Sequence, residues 1–247
     1  MCKIIIGLFF LWYPLFINGK DTEQIYPLKH TPIDTSNIAS LQRGAKYFMN
    51  FCSGCHSLRF MRYNRLAADL KITDINPIVS DQRLNSNLIF TQANSNDFIK
   101  SSLHKENALL WFGKYPPDLS LTTRARSVDW VYNYLLSFYL DKTRPFGVNN
   151  RLLKNTAMPD PLAKLRKNTR NYQSKIKTNN LNQLLVNTNH KKTFELEDVV
   201  ADLVNFLAYT AEPTKNSRQS LGLKVCAFLL FFSCVVYFLK KQIWANT

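Results

Sequence analysis

The chain has 247 residues and a formal net charge of +15, from 32 Lys and Arg against 17 Asp and Glu. A chain of this length can bury one good-sized core with appendages, and evenly spread positive charge would point to nucleic acid or an anionic surface. The charge is instead concentrated: Pro161 to Phe194 carries Lys164, Arg166, Lys167, Arg170, Lys175, Lys177, Lys191 and Lys192 with no acid, among Asn, Gln and Thr. That composition reads as a solvated, poorly packed insertion, assigned to 162–190, and no nucleic acid is expected as a partner.

In chain order, Lys3 precedes an apolar run from Ile4 to Ile17, broken by Pro14, and Asn18-Gly19-Lys20-Asp21 then turns polar. This length is short for a bilayer span and suits a signal peptide over 1–19, so the chain is expected to be exported. Helical spacing of Leu41, Ala45 and Phe48 predicts a helix over 37–50. Further helices are predicted over 57–70, 127–140 and 195–209, joined by long irregular stretches such as 72–118. In the third, Asp129, Trp130, Tyr134 and Phe138 mix an aromatic core face with a polar exterior. The fourth, FELEDVVADLVNFLAYTAEP, is amphipathic and ends before Pro213. Leu221 to Leu239 carries one charge, Lys224, near its start and is long enough to span a membrane. Lys215, Arg218 and Lys224 before the span nearly balance Lys240 and Lys241 after it, so the export signal sets the orientation: residues from about 20 to 220 outside, Gln242 to Thr247 in the cytoplasm.

Of the five cysteines, Cys2 belongs to the signal and Cys226 and Cys234 to the span, which leaves Cys52 and Cys55. One pair excludes a secreted disulfide scaffold. Zinc would want a second ligand pair, and His30, His104 and His190 stand isolated. A thioredoxin-like dithiol would follow a strand, whereas the residues before Cys52 have helical spacing. FCSGCH, residues 51 to 56, therefore reads as a covalent haem site: two thiols about one helical turn apart add to the haem vinyl groups, and His56 falls under the iron as proximal ligand.

An electron carrier closes the sixth position of the iron, commonly with Met. Met1 lies in the signal, and Met49 and Met61 are too near the attachment site to reach the opposite face. Met158, in NTAMPDP, precedes a proline that keeps the chain extended, and such a loop can cross the far side of the haem. Met158 is the expected distal ligand.

RGAKYFMNFCSGCHSLRFMRYNRLAADL, WFGKYPPDLSLTTRARS, RPFGVNNRLLKNTAMP and DLVNFLAYTAEPTKNSRQSLGLKV, in this order and ahead of a terminal span, resemble the cytochrome c1 family of bacterial cytochrome bc1 complexes. The likeness runs from about Ile25 to Trp244. It implies thioether attachment at Cys52 and Cys55, axial ligation by His56 and Met158, and one haem c. Arg126 matches the arginine that pairs with a haem propionate, and Pro116 and Pro117 match haem-lining prolines. Arg62 and Arg65 would lie near propionates or in solvent. The implied fold is an all-α, class I cytochrome c-like domain with long irregular loops over 20–214, on a C-terminal transmembrane anchor with a short cytoplasmic tail over 215–247. Family members often carry acids around the exposed haem edge, whereas this chain is strongly basic.

The resemblance implies a relay of single electrons from the Rieske iron–sulfur protein to a cytochrome c. The expected setting is a dimeric quinol–cytochrome c reductase with cytochrome b, in the bacterial cytoplasmic membrane with the haem domain in the periplasm. On that reading the chain breaks no substrate bond itself. The alternative is a membrane-tethered haem sensor or peroxidase-like protein with an open iron, which a distal acid or base would favour.

Overall fold

The computed structural model describes residues 27–72, 77–166 and 196–245. The first 19 residues and most of the basic insertion lie outside the described residues. The chain is mostly helical.

Helix α1, Ile38–Phe51, starts where the Asn37 side chain accepts from the Ser40 N–H at 3.1 Å. Its apolar positions Leu41, Ala45, Phe48 and Met49 fall on one face and are buried. That face packs on α7, Leu196–Ala211, whose Val200, Leu203, Val204 and Phe206 are fully buried. Phe48 and Phe206 meet with ring centroids 5.7 Å apart. Gly44 makes the close crossing possible: a Cβ there would lie 2.1 Å from the Asp202 carbonyl oxygen and 2.6 Å from the Phe206 Cβ. Beside it, the Arg43 Nε donates to Asp202 at 2.6 Å, and the Ser40 hydroxyl donates to the same carboxylate at 2.6 Å.

The fold departs from an all-helical reading at two places. The stretch predicted as a helix over 57–70 divides into strand β1, Leu58–Arg62, and helix α2, Tyr63–Asp69. Strand β1 pairs antiparallel with β2, Phe98–Ile99, with an irregular register between Leu58 and Arg62. The Tyr63 and Asn64 N–H groups donate to the Asp97 and Ser95 carbonyls, so the start of α2 is tied to the segment before β2. The helix predicted over 127–140 stops early. Helices α5, Thr122–Arg126, and α6, Val128–Leu136, are followed by strand β3, Phe138–Leu140, which pairs antiparallel with β4, Val148–Asn150. Helix α6 ends because its last carbonyls are taken: Asn150 Nδ2 donates to the Tyr134 carbonyl at 2.7 Å, and Arg166 donates to those of Leu135 and Leu136. The stretch 72–118 is less irregular than expected, holding α3, Pro77–Asn87, and α4, Lys105–Phe112.

The beginning of the stretch read as a solvated insertion is packed. Leu162 is fully buried, and the Arg166 side chain is 12% exposed on an Asp160 that is 5% exposed. Apolar burial at Leu162 and pairing at Arg166 make 162–166 part of the packed domain.

Helix α8, Lys215–Ala245, has 31 residues, a mean hydropathy of 2.2 over its most apolar window, and no buried side chain. At about 1.5 Å per residue it is long enough to cross a bilayer. Because none of its side chains is buried against the rest of the chain, an exported variant ending at Thr214 should be water-soluble and keep the melting midpoint of the full chain. A truncated domain that failed to take up haem would show that α8 is part of the core.

Candidate functional site

The turn after α1 presents the motif. The Cys52 N–H closes the helix on the Phe48 carbonyl at 2.9 Å, and the Cys55 and His56 N–H groups both donate to the Cys52 carbonyl, at 3.0 and 2.8 Å. Cys52 is buried and Cys55 exposed. Burial pushes the Cys52 thiol up to about 12, with the neighbouring Cys55 adding to the effect, and burial raises the Cys55 thiol as well. The loop is pinned from outside, since the Ser101 hydroxyl donates to the Gly54 carbonyl at 2.8 Å and the Ser101 N–H to the Ser57 hydroxyl at 2.8 Å.

Alongside runs the segment 117–120. The Leu119 N–H donates to the Ser57 carbonyl at 2.9 Å, and the Arg59 N–H to an Asp118 carboxylate oxygen at 2.9 Å. This pairing brings the Pro117 carbonyl within 2.8 Å of His56 Nδ1. A carbonyl oxygen only accepts, so Nδ1 carries the proton and Nε2 keeps its lone pair. Burial lowers the His56 pKa, outweighing the bond to Pro117, and keeps the ring neutral at neutral pH. A metal-binding imidazole is commonly held this way, buried and neutral, with one nitrogen anchored to a carbonyl and the other left bare. What the structure shows of Pro117 is its carbonyl, which orients His56.

Met158 is half-buried and packs against the core cluster that also contains Cys52. The Tyr134 hydroxyl donates to the Met158 Sδ at 3.6 Å and lies 2.9 Å from the Thr156 Oγ1, which accepts from the Met158 N–H at 3.4 Å. With the tyrosine proton on sulfur, the threonine must donate to Tyr134, and the three groups form a closed circuit. Desolvation raises the Tyr134 pKa, keeping that proton in place. The thioether retains a second lone pair for a metal.

Arg126 is exposed, with its guanidinium 5.2 Å over the Trp130 ring, and Trp130 stacks on Tyr134 at 5.1 Å and 7°. The structure thus brings Arg126 into one pile with the residue that holds Met158. Among the described residues no carboxylate pairs with Arg126. Arg62 and Arg65 are engaged elsewhere: Arg62 lies 4.0 Å over the Phe98 ring, and Arg65 is 3.4 Å from Asp69. His30 is exposed beside Asp129 at 3.0 Å, His104 precedes α4, and His190 lies outside the described residues. Among the described residues no three His, Cys, Asp or Glu groups converge as a metal cluster. Thr156 and Arg144 escaped the sequence reading, and Tyr134 entered it only as part of a helix's aromatic core face. The Arg144 Nε is buried without a partner, while its Nη2 donates to the Asn155 carbonyl at 3.2 Å, three residues before Met158.

Two thiols on one turn, an imidazole of fixed tautomer and a thioether held by a hydroxyl are the donors that a c-type cytochrome requires. The chain belongs to the cytochrome c1 family, whose model, described as Cytochrome C1 family, matches residues 28–247. It is 42% identical to the cytochrome c1 of Allochromatium vinosum over 253 aligned residues, covering 100% of this chain and 99% of that one. It is 38% identical to a Nitrosomonas europaea protein named ammonia monooxygenase gamma subunit, covering 89% of this chain and 88% of that one. A chain of a hyperthermophilic respiratory Complex III aligns over 98% of this chain and 94% of its own at 15% identity, with a TM-score of 0.39. Family membership brings with it a haem cofactor and a role in electron transport.

Proposed function

We propose that the chain is the membrane-anchored haem c subunit of a bacterial quinol–cytochrome c reductase. It relays single electrons from the Rieske iron–sulfur protein to a cytochrome c, beside cytochrome b in a dimeric complex. Cys52 and Cys55 attach the haem, His56 and Met158 ligate its iron, and Arg126 meets a propionate whose burial would otherwise be costly. The observation that carries this reading is the His56 Nδ1 proton on the Pro117 carbonyl, which leaves Nε2 free at the attachment motif.

When bound, the haem supplies a one-electron couple at iron. The residues of the chain fix how that couple is presented. Pro117 holds the His56 ring and Tyr134 holds the Met158 sulfur, the donor that would close the iron to the ligands a sensor or peroxidase admits. No substrate proton moves in this scheme, so no general acid or base is required of the chain. The residues before 20 act as the export signal, the domain up to residue 214 lies in the periplasm, and α8 crosses the cytoplasmic membrane with its end inside.

The test is a pyridine haemochrome spectrum of membranes carrying the chain, with haem staining on a denaturing gel. A stained band at the chain's mass is expected, halved or weakened in stain by Cys55→Ser and absent when Cys52 and Cys55 are both replaced by Ser. A denatured band with no stain would sink the haem c reading outright.

A further inference from the structure

We infer that Arg166 is a positioning residue for the Met158 sulfur, clamping the loop that carries the thioether onto the helical turn that carries its hydrogen-bond donor. The inference rests on the reading of Met158 as the sixth ligand of the haem iron.

The geometry is a three-way junction. Arg166 Nε donates to the Asp160 Oδ2 at 2.8 Å, and its Nη2 reaches the other carboxylate oxygen at 3.5 Å. The same guanidinium donates through Nη1 to the Leu136 carbonyl at 3.0 Å and through Nη2 to the Leu135 carbonyl at 2.9 Å. Those carbonyls end α6, in the turn that presents Tyr134 to Met158. A cation is favoured at a helix C-terminus, where unpaired carbonyls concentrate negative potential. At 12% and 5% side-chain exposure, Arg166 and Asp160 would each be costly to bury alone, so the charges hold each other in place.

The clamp reaches Met158 because the intervening chain is stiff. Asp160 lies between Pro159 and Pro161, whose rings fix φ, and its own Oδ1 accepts from the Leu162 N–H at 3.0 Å. Leu162 is fully buried, and the Arg166 N–H returns to the Leu162 carbonyl at 3.0 Å. The segment from Asp160 to Arg166 is therefore a short closed turn anchored at both ends. Only Pro159 separates Met158 from Asp160, too little chain to absorb a displacement of that anchor. A charge counted by its composition as part of a wet, basic stretch instead sets the distance between Tyr134 and the thioether.

The experiment titrates imidazole, a nitrogen base that competes with the thioether for ferric iron, into the purified full-length chain in detergent. Arg166→Gln and Asp160→Asn should each strengthen imidazole binding by roughly tenfold or more, the factor that ~1.4 kcal/mol represents. They should also lower the haem reduction potential. Leu203→Ala, in the fully buried face of α7, loosens the fold while leaving every Arg166 and Asp160 bond in place, and should leave imidazole affinity unchanged. Should Arg166→Gln not accumulate, Asp160→Asn decides, since it leaves the α6 carbonyl contacts in place. Unchanged imidazole affinity in the folded clamp variants overturns the inference, as does an equal gain in Leu203→Ala. The ligand reading fails separately, and the inference with it, if Met158→Leu itself leaves the spectrum and the imidazole affinity of the parent.

Discussion

Met158→Leu should leave the haem covalently attached, open the sixth position and lower the reduction potential on the order of a few tenths of a volt, part of the ~0.8 V that axial ligands span. On the proposed reading, attachment depends on Cys52, Cys55 and the turn that ends α1, none of which contacts Met158 through a hydrogen bond. The potential depends on the thioether, whose weak donation favours the reduced iron. Leucine keeps most of the volume, so packing changes little, but the Tyr134 hydroxyl loses its acceptor. The buried hydroxyl can turn to the Thr156 Oγ1 2.9 Å away, so the loss of stability stays below the ~1–3 kcal/mol of an unsatisfied donor. Adding Tyr134→Phe separates the two effects. In the parent, Tyr134→Phe should lower the potential by removing the proton that withdraws density from sulfur; in the Met158→Leu background it should leave the potential unchanged and recover stability. Redox titration of the two single variants and the double variant closes the cycle. An unaltered low-spin spectrum and potential in Met158→Leu would mean that another residue ligates the iron.

The residues proposed to hold the haem stand out in the sequence because the chemistry forces such groups into a local pattern. Cys52, Cys55 and His56 must share one turn, and Met158 alone had a suitable distance and an extended setting. What supports them was not legible, since it depends on groups without a sequence signature. The Pro117 carbonyl that holds His56 is backbone, placed by the pairing of 117–120 with 57–60. Arg166 looked like one charge in a basic run until its carboxylate and helix-end partners were in view. The two errors in secondary structure have a common cause. Leu58 and Met61 are buried three residues apart because β1 has an irregular register, and that spacing imitates a helical face. Phe138 continues the stripe of Trp130 and Tyr134 and meets Tyr134 edge-on at 5.3 Å, yet the helix has already ended where distant side chains captured its carbonyls.

Gly44→Val should be the most damaging single substitution outside the ligands, and its damage should reach the haem. A Cβ at residue 44 falls 2.1 Å from the Asp202 carbonyl oxygen and 2.9 Å from its carbon, so backbone and not a pliable side chain must move. Valine adds two methyl groups beyond that Cβ. Overpacking a core costs about 1–3 kcal/mol, and here separating the helices also strips contacts from Phe48, Ala45 and Phe206 and disturbs Asp202, which is held by Ser40 and Arg43. Helix propensity offsets little of this, since glycine is worth only ~1 kcal/mol less than alanine and valine recovers part of that. Against a total stability of about 5–15 kcal/mol for a domain, the loss is large. The functional consequence follows from where α1 ends: tilting the helix swings Cys52 and His56 away from Pro117. Gly54 provides the control inside the motif, because a Cβ there meets nothing within 4 Å. Gly54→Ala should keep the parent's melting midpoint and haem content, whereas Gly44→Val should lower the midpoint by many degrees and leave most of the exported chain without haem stain. A Gly44→Val protein with the parent's midpoint and full haem would mean that α1 and α7 do not cross at this residue, and that the motif is held in place by other contacts.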